Sequence, residues 1–284
     1  MSFQPGNRLL PVLALAAALC AAPARAQSGE GNDISIELVD PKVLRVCADP
    51  RNLPFSNDKG EGYENKIAEL LAKKLGKSLA YTYYPNTTGF VRLTLMSHKC
   101  DVIIGFPQGD DLVQPSNPYM RTAYALVFKP GKGFDGIETL EDERLKGKHI
   151  GIIARTPPAT NLAVNGLIGN AKPYPLVIDT RFDSSTELMI KDIETGEVDI
   201  GVLWGPIAGN FANRYTPPYA VVPLVKEKTG PKMAYRMVMG VRPSDQEWKR
   251  LLNKILAESQ GEITKILLDY GVPLLDENDK RIVK

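Results

Sequence analysis

The segment LRVCADPRNLPFSNDKGEGYENKIAELLAKKLG, residues 44–76, passes from an apolar run through a polar loop into a periodic stretch. Leu44 to Ala48 is apolar enough to be a strand buried in a sheet, and Asp49-Pro50 ends it. From Tyr63 onward, Ile67, Leu70, Leu71 and Leu75 recur at spacings of three and four, which sets them on one face of a helix. Gly76 supplies the stop. The intervening GEGYE is a poor phosphate cradle, because Glu61 and Glu64 put negative charge where an anion would dock. An early acid suits the positive end of the helix dipole instead. Strand, loop and helix form the first step of an α/β fold, and ligands of such sheets bind beyond the carboxyl ends of strands. Residues 49–55 are therefore expected to line a cleft, with Asp49, Asn52 and Phe55 on its wall.

The alternation continues. Residues 78–84, 100–106 and 123–129 read as strands and 89–99 as a short helix. A second unit then follows: a strand at 148–154, a helix opening with Pro157-Pro158, a strand at 174–178, a serine-capped helix at 184–196 and a strand at 198–204. HKCDVIIG and GEVDIGVL correspond, each running from a helix end through Asp into an apolar strand. A strand at 233–241 and two helices, 244–259 with Ser244 as N-cap and 262–270, complete the chain. The pattern predicts two successive α/β lobes.

The 284 residues are ordinary in composition, 43% hydrophobic and 24% charged. Residues 1–26 read as a Sec-type signal: Arg8, an apolar core at 9–23, and Ala24-Arg25-Ala26 as the cleavage site. The core is too short for a comfortable membrane span, and Leu19 argues against lipidation at Cys20. Cleavage after Ala26 makes the mature chain periplasmic and, by removing Arg8 and Arg25, takes the net charge from +2 to neutral. A neutral chain without a Lys/Arg block argues against nucleic acid or an anionic membrane as partner. Cys47 and Cys100 remain, and in an oxidising compartment they suggest one disulfide. Their unequal places on their strands leave two buried thiols as the other reading. With His98 and His149 the only histidines and no CxxC, no metal site is expected. Nucleophile-elbow, metalloprotease, P-loop and dinucleotide motifs are all absent from the sequence.

A strand ending in Asp, then LPF, GYENKIAELLAKKLG, KCDVIIG and SNPYMRTAYALV, with LEDERLKGKHIGIIA and IETGEVDIGVLWGPIA later, resembles the family 3 periplasmic solute-binding proteins. The resemblance covers residues 43–271 and implies a type II periplasmic binding protein fold. Its parts would be a signal peptide, 1–26, an N-terminal extension, 27–42, lobe 1 at 43–129 plus 233–284, and lobe 2 at 130–232. Two hinge strands would join the lobes across a central cleft. The likeness implies Tyr84, Phe106, Gln108, Tyr119, Arg155, Thr156 and Trp204 as further cleft residues. Two departures bear on the ligand. Amino-acid binders of the family carry an arginine after the glycine of the third strand, where this chain has Gly109-Asp110-Asp111. They end the corresponding second-lobe strand in an Asp that holds the ammonium, where this chain has Trp204-Gly205-Pro206.

RVCADPRNLPFSN, YYPNTTGFVRLTL and KCDVIIG, with both cysteines, resemble the quinoprotein dehydrogenase-associated branch of the family, the XoxJ/MxaJ type. That likeness implies a non-catalytic accessory factor without a cofactor of its own. It would aid assembly or activation of a pyrroloquinoline-quinone (PQQ) methanol dehydrogenase of the lanthanide type, with the dehydrogenase, and its cytochrome c, as partners. The alternative is the substrate-binding component of an ABC importer for a small non-amino-acid solute. A third reading, a dehydratase on the same fold, would need an acid with a shifted pKa in the cleft, for which Asp110 and Asp111 are the sequence candidates. A small molecule, a peptide segment and water remain open as occupants of the cleft.

Overall fold

The computed structural model describes residues 37–176 and 184–283; the expected signal sequence and the start of the extension lie outside them. The opening segment folds as β1 (Val43–Ala48), the short ribbon β2 (Arg51–Asn52) and β3 (Ser56–Asn57), and α1 (Tyr63–Leu75). Then come β4 (Ser78–Tyr83), the single-turn α2 (Phe90–Leu93), β5 (Val102–Pro107), β6 (Gln114–Pro115) and the long β7 (Met120–Phe128). The second unit is β8 (Ile150–Ile153), α3 (Pro157–Val164), β9 (Ala171–Tyr174), α4 (Ser185–Thr195), β10 (Ile200–Trp204) and α5 (Gly205–Ala212). The chain ends through β11 (Ala220–Pro223), β12 (Ala234–Val241) and α6 (Gln246–Asp269).

The strand order is β4-β1-β5-β12-β7-β10-β8-β9. β1 lies parallel between β4 and β5, and β8 lies parallel between β9 and β10, so the two units repeat one plan. The corresponding aspartates do the same job in each. Asp101 N–H donates to Arg45 O and Asp199 N–H to His149 O, pinning the entry of β5 to β1 and that of β10 to the start of β8. β7 serves both units: Met120–Ala123 pairs with β12, and Tyr124–Trp204 begins its pairing with β10.

Alternation along the strands sorts the core into faces. Leu44, Val46, Val102 and Ile104 join α1 and α6 in one cluster, whereas Cys47 and Ile103 point the other way, against Phe90, Val91 and Leu95. The second unit is likewise covered on both sides, by Ile150, Ile152 and Val202 on one face and by Val127, Leu203 and Met189 on the other. Cys47 and Cys100 form a disulfide within the Phe90 cluster, their Cα atoms 5.5 Å apart. Asp101 N–H bonding to Arg45 O turns the chain so that Cys100, ahead of β5, reaches β1.

Four sequence expectations need correction. The two C-terminal helices are one, α6, which runs straight through Gly261 because its apolar face continues from Leu256 to Ile263 and Leu267 without a break. Its N-cap is Asp245 rather than Ser244, and its first amides, Glu247 N–H and Trp248 N–H, donate to the Glu37 carboxylate at 2.5 and 3.0 Å. The helix expected over 89–99 keeps one helical turn, after which the Arg92–His98 chain closes in tight turns. The strand expected at 174–178 lies earlier, at Ala171–Tyr174, paired with β8; residues 177 and 178 lie outside the described residues.

Candidate functional site

A cavity of about 750 Å³ opens at the carboxyl ends of β1, β5 and β10. Its wall begins where β1 stops. The Asp49 carboxylate accepts Arg51 N–H at 2.8 Å and Asn86 N–H at 2.7 Å, tying the loop after β1 to the loop after β4. Ser56 Oγ donates to Asp49 O and folds the ribbon back over the strand end. Tyr63 N–H and Glu64 N–H then donate to Pro54 O and Phe55 O, so the start of α1 is fixed to the loop it follows. Gly62 makes this approach possible, since a Cβ there would run into the Phe55 backbone.

Of the ten sequence-predicted cleft residues, Asp49, Asn52, Phe55, Phe106 and Trp204 line this cavity. Five do not. Tyr84 packs beside the disulfide cluster and Gln108 is exposed beyond the end of β5. Tyr119 is buried in the core with α1 and α6. Arg155 is exposed, with a φ of 62°, and Thr156 is the N-cap of α3, its hydroxyl donating to Ile153 O at 2.6 Å. Phe211 belongs to the core of the second unit.

The reading from sequence missed Glu64, Arg92 and the Asn86–Thr88 loop, all of which line the cavity. Glu64 is half-buried, its open side facing the cavity. Its carboxyl lies against Gly105, which has a φ of 83° and where an added Cβ would meet the Glu64 carboxyl. No hydrogen bond or ion pair reaches that carboxyl among the described residues. Burial, with the nearby Asp49 carboxylate adding to it, pushes the Glu64 carboxyl up to about 8. Tyr63 and Tyr119 beside it are raised well above the usual phenol range, first by burial and then by Glu64. Asp110, one of the two acids expected to repel a carboxylate, lines the cavity and accepts Leu112 N–H; Asp111 does not line it.

Trp204 closes the cavity from the second unit. It ends β10 opposite Tyr124 of β7, and its ring meets Tyr124 at 5.0 Å and Tyr235 of β12 at 5.8 Å. It also packs against the core of the first unit. One side chain thus touches both strands that cross between the units and the space between them.

A two-unit α/β fold with a cavity at the strand ends of the first unit, closed by Trp204 of the second, is that of a binding protein. The match at residues 44–272 is to the bacterial extracellular solute-binding proteins, family 3, and the chain belongs to that family. Within it the resemblance is to the XoxJ/MxaJ type. Protein MoxJ of Methylorubrum extorquens is 30% identical over 285 residues, covering 94% of this chain and 93% of that one. The crystal structure of periplasmic binding protein XoxJ from Methylobacterium extorquens AM1 aligns with a TM-score of 0.70 and 40% identity, over 82% of this chain and 100% of that one. MxaJ from Methlophaga aminisulfidivorans MPT aligns at 0.72 with 25% identity, over the same shares. The fold is the type II periplasmic binding protein fold. An ancestral cationic amino acid solute-binding protein shares it, with a TM-score of 0.63 at 23% identity over 81% of this chain and 95% of that one.

Proposed function

We propose that this chain is a non-catalytic periplasmic accessory factor of a PQQ-dependent methanol dehydrogenase, aiding its assembly or activation by holding a segment of it in the cleft. The observation that carries this reading is the cavity itself. Neither end of an amino-acid clamp is present: Asp110 stands in the arginine region and Trp204 in place of the ammonium-holding Asp. What remains is a wall of Phe55, Phe90, Phe106, Ile104 and Trp204, suited to apolar and aromatic contact. The names MoxJ, XoxJ and MxaJ of its relatives support the link to methanol oxidation, and the higher identity to XoxJ supports the lanthanide-type partner. Membership of an extracellular family supports export after a cleaved signal. In this reading the lobes are residues 43–129 plus 233–284 and 130–232, with β7 and β12 as hinges, and the cytochrome c of the dehydrogenase is a second partner.

The volume of the cavity also fits a small molecule, which favours, as the second reading, an importer component for a non-amino-acid solute. Native capture of the tagged mature protein from its own periplasm, followed by mass spectrometry, separates the two. Near-stoichiometric dehydrogenase is the expected result. A discrete small molecule without dehydrogenase would overturn it.

A further inference from the structure

Glu64 lines a cavity whose wall is mostly apolar, and among the described residues no donor bonds its carboxyl. Around it stand Asp49 from the loop after β1, Tyr63 on its own helix, Tyr81 from β4 and Tyr119 ahead of β7. Arg92 and Asp110 share the cavity but form no bond with it. The Asp49 carboxylate already accepts two backbone amides. A second, unpaired carboxylate beside it would be buried at high cost. Burial, with the Asp49 carboxylate adding to it, favours the protonated form of Glu64. A carboxylic acid kept neutral in an apolar site is a strong hydrogen-bond donor.

We propose that Glu64 serves the cleft as a neutral carboxylic acid that donates a hydrogen bond to an amide carbonyl of a peptide segment seated against Phe55, Phe106 and Trp204. This rests on the reading that the cleft receives a segment of a partner protein. An amide accepts the proton's hydrogen bond without moving charge into the apolar wall, whereas an ammonium group would first have to expel that proton. The loss of both amino-acid clamp residues fits an uncharged occupant. Gly105 leaves the carboxyl its place, since a Cβ there would meet the Glu64 carboxyl itself. Binding is accordingly strong while Glu64 is protonated and fades as it ionises.

The test has two arms. In the first, the full mature chain is labelled with glutamate carrying 13C at the side-chain carboxyl, and the Glu64 signal is assigned as the one missing in Glu64→Gln. On titration it is expected to stay protonated through neutrality. N-Methylacetamide is expected to perturb it near neutral pH and to lose that effect once it ionises; methylammonium is expected to leave it unmoved. An ordinary carboxylate titration, a response to methylammonium in place of the amide, or a response to neither overturns the proposal. In the second arm, the PQQ methanol dehydrogenase purified from the same host is bound to wild type and variants. Wild-type affinity is expected to fall about tenfold per pH unit above the Glu64 midpoint, as a single required proton dictates. Glu64→Gln is expected to lose that pH dependence, and Glu64→Leu to bind at least about tenfold more weakly near neutral pH for want of a donor. Affinity that rises with pH in wild type overturns the proposal. A dehydrogenase that fails to bind wild type at any pH overturns the accessory reading instead, and the first arm still decides the role of Glu64.

Discussion

Glu64 lies in the first turn of α1, where an acid ordinarily serves the helix dipole, but its carboxyl is turned into the cavity and finds no donor. Its raised pKa has a consequence for folding. Between the ordinary carboxyl value of 4.5 and about 8, the native state holds a proton that the unfolded chain has released. Stability from this group is thus fully present below 4.5 and is lost as pH rises to about 8, at no more than about 1.4 kcal/mol per pH unit. Glu64→Gln should therefore gain on wild type as pH rises through that window and then hold a constant lead. Urea unfolding at a series of pH values checks this, and parallel curves for the two proteins would refute it. Nothing in residues 61–65 distinguishes such an acid from an N-terminal dipole acid. The difference lies in the fold-back of Pro54 and Phe55 onto the helix start, which aims the side chain, and that is a tertiary event. Asp49, Asn52 and Phe55, by contrast, were legible because they follow directly from where β1 ends.

At the scale of elements, the local stop signals were reliable where packing agreed with them. Gly76 and Gly196 close α1 and α4 in left-handed conformations, φ 64° and 81°, and Ser184 caps α4 by accepting Glu187 N–H. Gly261 sent the same local signal and was overruled, because α6 has buried residues on both sides of it facing the same core. There it only weakens the helix, and a Cβ would meet nothing within 4 Å. Gly261→Ala should raise stability by about 0.5–1 kcal/mol, read as a higher denaturant midpoint with an unchanged slope. The disulfide belongs to this scale too. It bridges a sequence separation of 53 residues, and by chain entropy that constrains the unfolded state by about 4 kcal/mol. A Cys47→Ala/Cys100→Ala double variant should lose about 2–4 kcal/mol, measured by thermal or urea unfolding. A loss well below 1 kcal/mol would mean that the unfolded chain is already restricted there.

For the whole molecule, the repeated plan of two units was legible in the matching HKCDVIIG and GEVDIGVL segments, since each is the strand between the parallel part of its unit and an antiparallel neighbour. What could not be read from sequence is which side chains meet across the units. Tyr119 and Trp204 both looked like cleft aromatics. The pairing of β7 with β12 sends Tyr119 into the core, and that of β7 with β10 brings Trp204 to the cavity. If the cleft receives a segment of the dehydrogenase as proposed, Trp204→Ala should weaken that binding at least about tenfold, as expected of a central aromatic anchor. It should also lower stability by roughly 2 kcal/mol through the lost contacts with Tyr124 and Tyr235. Surface plasmon resonance and urea unfolding read the two effects separately.

The aromatic junction at Trp204 also gives the protein an optical signal of its own. The chain has two tryptophans. Trp248 is buried in the first unit with its indole N–H bonded to Asp101 O, whereas Trp204 faces the cavity beside two tyrosines of the crossing strands. Filling the cavity changes the surroundings of one indole only, the one in contact with Tyr124 and Tyr235. Native fluorescence can thus report cleft occupancy without a dye, and the Trp248 emission, shielded in the core, stands as an internal reference.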